Sequence, residues 1–156
     1  AEALGLVLAR WVREGRELGP ADLVVPVPLH PLRLRERGFN QADLLAAAVA
    51  RALGRPVNPA ALVRTRPTRA QSQLPVEARE ANVRGAFAVP HPAAVRARRV
   101  LLVDDVLTTG ATADAASEAL YRAGASRVEV VCVAAASPRA GPTWDRGGRG
   151  GGELLE

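Results

Sequence analysis

The sequence predicts an α/β protein with a mostly parallel sheet and helices on both faces. Two short β-type runs, Leu23 to Val27 and Val100 to Val103, are each followed by a polar loop and then by an amphipathic helical pattern that ends in glycine. A third apolar run spans Arg127 to Ala134. Because strands that alternate with helices form parallel βαβ units, their carboxyl ends meet at one edge of the sheet, where ligands of such proteins bind.

The other elements follow along the chain. Apolar side chains at helical spacing predict a helix over residues 3–14, before the break at Gly19-Pro20. Asn40 suits a helix N-cap with Asp43 at the third helical position, and Gly54 ends that helix. Short strands are expected at residue 57, over 61–63 and over 85–89, with a helical turn over 77–83.

Length and hydropathy favour one domain. The chain has 156 residues and 48% hydrophobic content, which suffices for a single core over residues 1–136. Residues 137–156 are rich in Pro and Gly and have little to bury, so we expect a disordered tail. The sequence shows no long uncharged apolar run and no signal-like start, which predicts a cytoplasmic protein without membrane insertion.

The cations of this chain are all arginine. Lys plus Arg total 21 against 16 acidic residues, a net charge of +5, and no lysine is present. Arginine suits bidentate contacts to phosphate or carboxylate, although a compositional bias explains the same count equally well. The single cysteine, Cys132, lies in an apolar run and is interpreted as a small core residue.

The most informative stretch follows the strand at Val100. Two carboxylates, Asp104 and Asp105, come directly after it, and a small hydroxyl-rich turn then leads into a helix. Such a turn presents backbone N–H groups and a helix N-terminus to an anion. The turn contains no lysine and lacks the P-loop spacing, which favours a phosphate monoester over a nucleotide triphosphate as its ligand. The carboxylates would repel that phosphate, so they suit the vicinal hydroxyls of a ribose. The alternative is an ordinary helix entry with two solvated aspartates.

These residues resemble a known family. The stretch from Val100 to Thr112 is similar to the phosphoribosyl pyrophosphate signature of type I phosphoribosyltransferases. Residues 22–46, 64–68 with Gln71, and 82–87 resemble the ComF family of competence-related phosphoribosyltransferase-like proteins. The resemblance covers most of residues 22–136 and implies a type I phosphoribosyltransferase-like fold.

The resemblance also implies a site. Asp104 and Asp105 would hold the ribose hydroxyls and, indirectly, Mg²⁺, and would form the catalytic group together with Arg64 and Arg66. The 5′-phosphate would lie on Thr108, Thr109, Gly110, Ala111 and Thr112, and the pyrophosphate on Pro28, Leu29, His30 and Arg37. His30 has either an acid-base role or a structural one. The segment from Arg64 to Gln73 is expected to be a mobile loop that closes over the ligand.

Three functions remain open at this point. The first is a protein that binds phosphoribosyl pyrophosphate and Mg²⁺ and handles incoming single-stranded DNA in natural transformation, with recombination and competence proteins as partners. The second is a metabolic phosphoribosyltransferase of nucleotide synthesis or salvage, with an unknown acceptor. The third is a non-catalytic ligand sensor or DNA-binding module whose cations contact the DNA backbone: Arg33, Arg35, Arg37, Arg64, Arg66 and Arg69. The apolar side of residues 3–14 is a candidate homodimer contact.

Overall fold

The computed structural model describes residues 2–14, 20–68, 76–107 and 109–135. Its helices are α1 (Glu2–Glu14), α2 (Pro31–Arg37), α3 (Gln41–Leu53), α4 (Val76–Val83) and α5 (Ala111–Arg122). Its strands are β1 (Leu23–Pro26), β2 (Val63–Arg64), β3 (Phe87–Ala88), β4 (Arg99–Leu107) and β5 (Arg127–Ala135). A 3₁₀ turn at Pro92–Ala94 precedes β4.

The main sheet is parallel and has the order β1-β4-β5. Leu23 to Pro26 pair in register with Val100 to Val103, and β4 pairs with β5 from Arg99 opposite Arg127 onward. A single parallel bridge joins Val57 to Val24 on the outer side of β1. The apolar run of β4 is buried because this strand is central and helices cover both of its faces.

Alternate residues of the sheet enter two different cores. Val24, Leu101, Val103 and Val131 face α1 and α3, whereas Val25, Val100, Leu102 and Val128 face α5 and the β2–β3 sheet. Helix α1 approaches α3 closely at Gly5, where an added Cβ would lie 2.3 Å from the Cβ of Ala48. The predicted arrangement, a parallel sheet with helices on both faces, is therefore confirmed.

A second, smaller sheet lies on the α5 side. Strands β2 and β3 pair antiparallel, with Val63 opposite Ala88 and Arg64 opposite Phe87. Leu62 and Phe87 are buried in the same core as Leu120 of α5, so this two-stranded sheet is part of the domain rather than a separate unit. Its strands are too short to show an alternating pattern, and the sequence therefore did not indicate their pairing.

The structure corrects several predicted boundaries. The strand predicted to end at Val103 continues to Leu107, so both acidic residues lie within it, because β5 supplies ladder partners beyond that point. Arg64 belongs to β2 rather than to a loop, and the strand predicted over 85–89 is two residues long. Residues 69–73 of the predicted mobile loop and the predicted tail over 137–156 lie outside the described residues.

Predicted features of α3 are confirmed. Asn40 is its N-cap, Asp43 lies in its first turn, and Gly54 at φ +64° ends it. Helix α2 was not predicted, although Pro31 at its first position and Gly38 directly after it are typical helix boundary signals. Within the described parts of the chain, no helix has the length and apolar character needed to cross a membrane.

Candidate functional site

The candidate site lies where β1 and β4 separate at the carboxyl edge of the sheet. The N–H of Val27 donates to the carbonyl of Val103 at 2.8 Å, and this bond is the last between the two strands. Beyond it β4 continues beside β5, with Asp104 opposite Cys132. The chain leaves β1 toward Val57 on one side and leaves β4 toward β5 on the other, which creates the crevice in which α/β sheets bind ligands.

Asp104 is the buried acid of this crevice. It is 8% exposed, and its Oδ1 accepts a hydrogen bond from the N–H of Asp105 at 2.9 Å. Burial raises the pKa of Asp104 to about 7; the negative charge of Asp105 acts in the same direction, and the positive charge of Arg64 opposes it. A ligand that places hydroxyl donors or positive charge beside this carboxyl would therefore favour its ionised form.

Asp105 lies on the opposite face of β4. Asp104 has the same strand parity as Leu102, which faces α5, while Asp105 has the parity of Val103, which faces α1 and α3. The Asp105 side chain is half-buried, and its Oδ1 accepts from the N–H of Val106 at 2.8 Å. The two acids that are adjacent in sequence thus differ in burial and in strand parity, although their side chains still interact, because the charge of Asp105 and side-chain hydrogen bonding with it add to the effect of burial in raising the pKa of Asp104.

The predicted phosphate turn follows β4 directly. Gly110 has φ +84°, a conformation that glycine adopts without strain, and α5 begins at Ala111. No side chain caps this helix end, and the Thr109 Oγ1 is buried without a hydrogen-bond partner in the described structure. A buried hydroxyl of this kind calls for a partner, and an anion at the helix N-terminus would provide one.

The remaining residues of the predicted turn are placed as follows. Ala111 is buried at the first position of α5, and Thr112 is half-buried. Thr108 lies outside the described residues. The turn therefore keeps the position that the sequence indicated, at the carboxyl end of the strand that carries Asp104.

Arg64 reaches the crevice from strand β2. Its guanidinium lies over the Phe87 ring, 5.2 Å from the ring centroid, and its Nη2 donates to the Thr68 hydroxyl. Its Nε is buried and has no partner within the described part of the chain. Burial lowers the pKa of Arg64; Asp104 opposes this shift, and the charges of Arg33 and Arg66 add to it.

Arg66 has a different environment. Its Nη2 donates to the backbone carbonyls of Asn82 at 3.2 Å and Arg84 at 2.8 Å. These contacts tie the segment after β2 to the end of α4. The structure thus shows Arg66 bound to the backbone at the end of α4, with its charge close enough to act on Arg64.

The residues predicted for pyrophosphate leave the sheet beside Asp104. Pro28 and Leu29 are half-buried and follow Val27 directly. His30 is the N-cap of α2, and its Nδ1 accepts from the N–H of Leu32 at 3.3 Å, which supports the structural role that the sequence left open. Arg37 is exposed in the last turn of α2.

Sequence analysis did not distinguish Arg33 as a neighbour of Arg64. It is the only residue of α2 that is not exposed, and its charge acts on Arg64. The signal that could have found it is the Pro31 to Gly38 helix, which places Arg33 and Arg37 on one side and Arg35 on another. Among the described residues, no cluster of three or more Asp, Glu, His or Cys side chains could hold a metal ion by itself.

A family model for the phosphoribosyl transferase domain matches residues 41–146 of this chain. The chain belongs to the phosphoribosyl transferase domain family. Escherichia coli DNA utilization protein YhgH is 40% identical to this family member over 136 residues, covering 85% of this chain and 59% of the relative. Competence protein F of Haemophilus influenzae is 34% identical over 128 residues, covering 78% of this chain and 53% of that protein. The predicted ComF-type resemblance is therefore confirmed.

Solved structures agree with this assignment. The glutamine phosphoribosylpyrophosphate amidotransferase of B. subtilis, complexed with ADP and GMP, has a TM-score of 0.54 and 27% identity; the match covers 85% of this chain and 25% of that one. The match with this chain covers 59% of the length of the E. coli relative, so the chain corresponds to part of that protein.

Proposed function

We propose that this phosphoribosyl transferase domain binds phosphoribosyl pyrophosphate with Mg²⁺, and that it acts in the handling of incoming single-stranded DNA during natural transformation. One observation carries the proposal. The strand that carries the buried carboxyl of Asp104 leads directly into an uncapped helix N-terminus, and this carboxyl interacts electrostatically with Arg64. Within the described part of the chain, the Thr109 hydroxyl and the Arg64 Nε are both buried without a hydrogen-bond partner. A phosphorylated sugar with a second anionic group supplies partners for all three.

The parts of the ligand divide among these groups by charge. The 5′-phosphate binds the turn over residues 109–112, where N–H groups and hydroxyls act as donors. The ribose hydroxyls donate to Asp104, which makes its ionised form favourable, and the backbone N–H of Asp105 donates to the same carboxylate. The pyrophosphate lies on residues 28–30 after β1, with Arg64 and Arg33 as neighbouring cations.

The donor set fits Mg²⁺ only together with a ligand. The described residues hold no carboxylate cluster of their own, and Mg²⁺ keeps several waters and binds through few carboxylates plus substrate phosphates. Asp104 and Asp105 would hold it indirectly, through the ribose hydroxyls. When bound, the ion neutralises charge on the pyrophosphate oxygens as a Lewis acid.

The chain's own residues support glycosyl transfer. As the bond from the anomeric carbon to pyrophosphate breaks, positive charge develops on the sugar and both bonding electrons leave with the pyrophosphate. The Asp104 carboxylate stabilises the sugar charge, and Arg64 stabilises the leaving anion. Arg66 anchors the segment after Arg64 through its two carbonyl contacts. A nucleophilic acceptor supplies the electron pair of the new bond to the anomeric carbon, and the described residues of the crevice do not identify which acceptor that is.

The role in transformation comes from the relatives named for DNA utilization and competence. In this role the protein acts in the cytoplasm with recombination and competence proteins as partners. Arg35 and Arg37 are exposed on α2, and Phe39 beside them is 51% exposed, which suits a single strand bound by backbone charge and stacking. Affinity for a fluorescent oligonucleotide should then fall steeply with salt; binding that is indifferent to salt contradicts this part.

Calorimetry tests the ligand. Wild-type protein titrated with phosphoribosyl pyrophosphate and Mg²⁺ should show saturable binding, and Asp104→Ala combined with Asp105→Ala should abolish it. Glu118→Ala is the matched control because it removes an exposed carboxylate from α5. Unchanged binding in the double variant would overturn the ribose assignment. Pyrophosphate release in the presence of common nucleobases, and none with DNA, would favour the metabolic alternative instead.

A further inference from the structure

The segment that carries the proposed pyrophosphate contacts is a protruding flap, residues 28–39, which leaves the sheet at Val27 and returns at Asn40. Its helix α2 has no buried residue, and Leu32, Leu34 and Phe39 are 54%, 41% and 51% exposed. Apolar burial therefore contributes little to holding the flap against the sheet. Its position therefore depends on its ends, where Pro28 and Leu29 are half-buried and polar contacts join the two limbs.

Asn40 makes the contact that joins those ends. Its Nδ2 donates to the carbonyl of Val27 at 3.1 Å, so the residue after the flap is bonded to the residue before it. The second Nδ2 proton goes to Asp43 Oδ1 at 2.8 Å, and Oδ1 accepts from the N–H of Ala42 at 3.2 Å. Asn40 is 7% exposed, its amide nitrogen faces acceptors and its amide oxygen faces a donor. These partners fix the orientation of the amide.

The neck of the flap lies beside the buried acid. The Val27 N–H donates to Val103, which precedes Asp104, while the Val27 carbonyl accepts from Asn40. The first flap residues, Pro28 to His30, therefore start next to Asp104, and helix α2 of the flap brings Arg33 near Arg64. A shift at the neck would move both of these parts of the flap relative to Asp104.

We propose that Asn40 is a positioning residue that holds the flap in the geometry needed to bind the pyrophosphate end of the ligand, without contacting the ligand itself. The N-cap of α3 and the neck of the flap depend on different atoms of this side chain. Oδ1 caps the helix, whereas Nδ2 closes the neck. Because pyrophosphate binding belongs to the proposed function, this role rests on that function.

The division of labour between the two atoms makes the role separable. Asn40→Ser and Asn40→Asp both keep an oxygen acceptor suited to capping, and both lose the amide that donates to Val27 and to Asp43. Asn58 provides the matched control, since its Oδ1 accepts from the N–H of Ala60 at 3.1 Å in a turn outside the flap. Asn58→Ser and Asn58→Asp make the same chemical changes there.

The test compares two ligands by calorimetry with Mg²⁺. Phosphoribosyl pyrophosphate uses the flap, whereas ribose 5-phosphate uses only the acid and the phosphate turn. The Asn40 variants should bind the first about tenfold or more weakly, because small misplacements of binding groups have effects of this size, and should bind the second as the wild type does. The Asn58 variants should bind both ligands normally. Two results overturn the positioning role. One is that the Asn40 variants bind both ligands with the wild-type affinity; the other is that they lose affinity for both ligands by the same factor.

Hydrogen exchange gives a second readout that needs no ligand. The amides of Leu34 and Gly38 donate within the flap, to the carbonyls of His30 and Leu34. They should exchange faster in Asn40→Ser than in Asn58→Ser, while the amides of β4 stay unchanged. Equal exchange in the two variants contradicts the proposal. Wild-type protein that binds neither ligand but shows this exchange pattern would refute the proposed function and leave the neck contact supported.

Discussion

Replacing the buried acid by its amide should change how stability depends on pH. Asp104→Asn keeps the shape of the side chain and an Oδ1 that accepts from the N–H of Asp105. It removes a charge that burial disfavours, since the residue is 8% exposed and burial raises its pKa from 3.8 to about 7. The stability of the two proteins should therefore diverge as the wild-type carboxyl ionises.

The sign follows from proton binding. Between pH 4 and 7 the folded state keeps a proton on Asp104 that the unfolded chain has lost, so raising the pH lowers wild-type stability across this window and has no further effect above about pH 8. At 1.36 kcal/mol per pKa unit, the raised pKa lowers the free energy of unfolding of the wild type by about 4 kcal/mol at pH 8 and by about 2 kcal/mol at pH 5. The variant should gain about 2 to 3 kcal/mol relative to the wild type between these two pH values.

Urea unfolding followed by circular dichroism at pH 5, 6, 7 and 8, with a chelator present, measures this difference. Any cost of burying the new amide is the same at every pH and cancels from the comparison. Glu118→Gln, at an exposed acid paired with Arg122, should show a flat difference from the wild type. A flat difference for Asp104→Asn as well would refute the reasoning, because the acid would then ionise equally in both states.

Two further predictions concern stability away from the site. Gly5→Ala should destabilise the fold by about 1 to 3 kcal/mol in urea unfolding, because the new methyl would overlap Ala48, and adding Ala48→Gly should recover part of the loss; a more stable Gly5→Ala would contradict this packing. Asp22 accepts from Arg99 Nε and Nη2 at 3.0 and 2.7 Å, and these bonds hold its pKa well below the ordinary 3.8. Asp22→Asn should therefore lower stability at pH 7, and the difference from the wild type should shrink as the pH falls below about 4; a loss that is constant with pH would exclude the ion pair as its source.

Long elements with a clear period could be predicted from sequence. The buried run at Val100, the N-cap at Asn40 and the glycine that ends α3 are local signals, since each depends on residues within a few positions. The short elements could not be predicted in this way. Strands β2 and β3 are two residues each and exist because they pair with one another and pack on α5.

The candidate site divides along the same line. Asp104, Asp105 and the turn at Gly110 are contiguous in sequence, so their order along the chain indicated a strand, an acid pair and an anion-binding helix end. Contacts between distant segments had no such signal. The nearness of Arg64 to Asp104 depends on the packing of the β2–β3 sheet against α5. The Asn40 to Val27 bond depends on the path of a twelve-residue flap.

The sequence by itself determined the α/β class, the family resemblance and the stretch that carries the two acids and the proposed phosphate turn. Periodicity and local spacing encode these features, because neighbours along the chain produce them. Only the tertiary structure decided that Asp104 is buried while Asp105 faces the other side, that Arg33 rather than Arg37 lies near Arg64, and that Asn40 closes the flap. Burial, charge proximity and long-range hydrogen bonds depend on which segments meet in space, and chain order alone leaves that choice open.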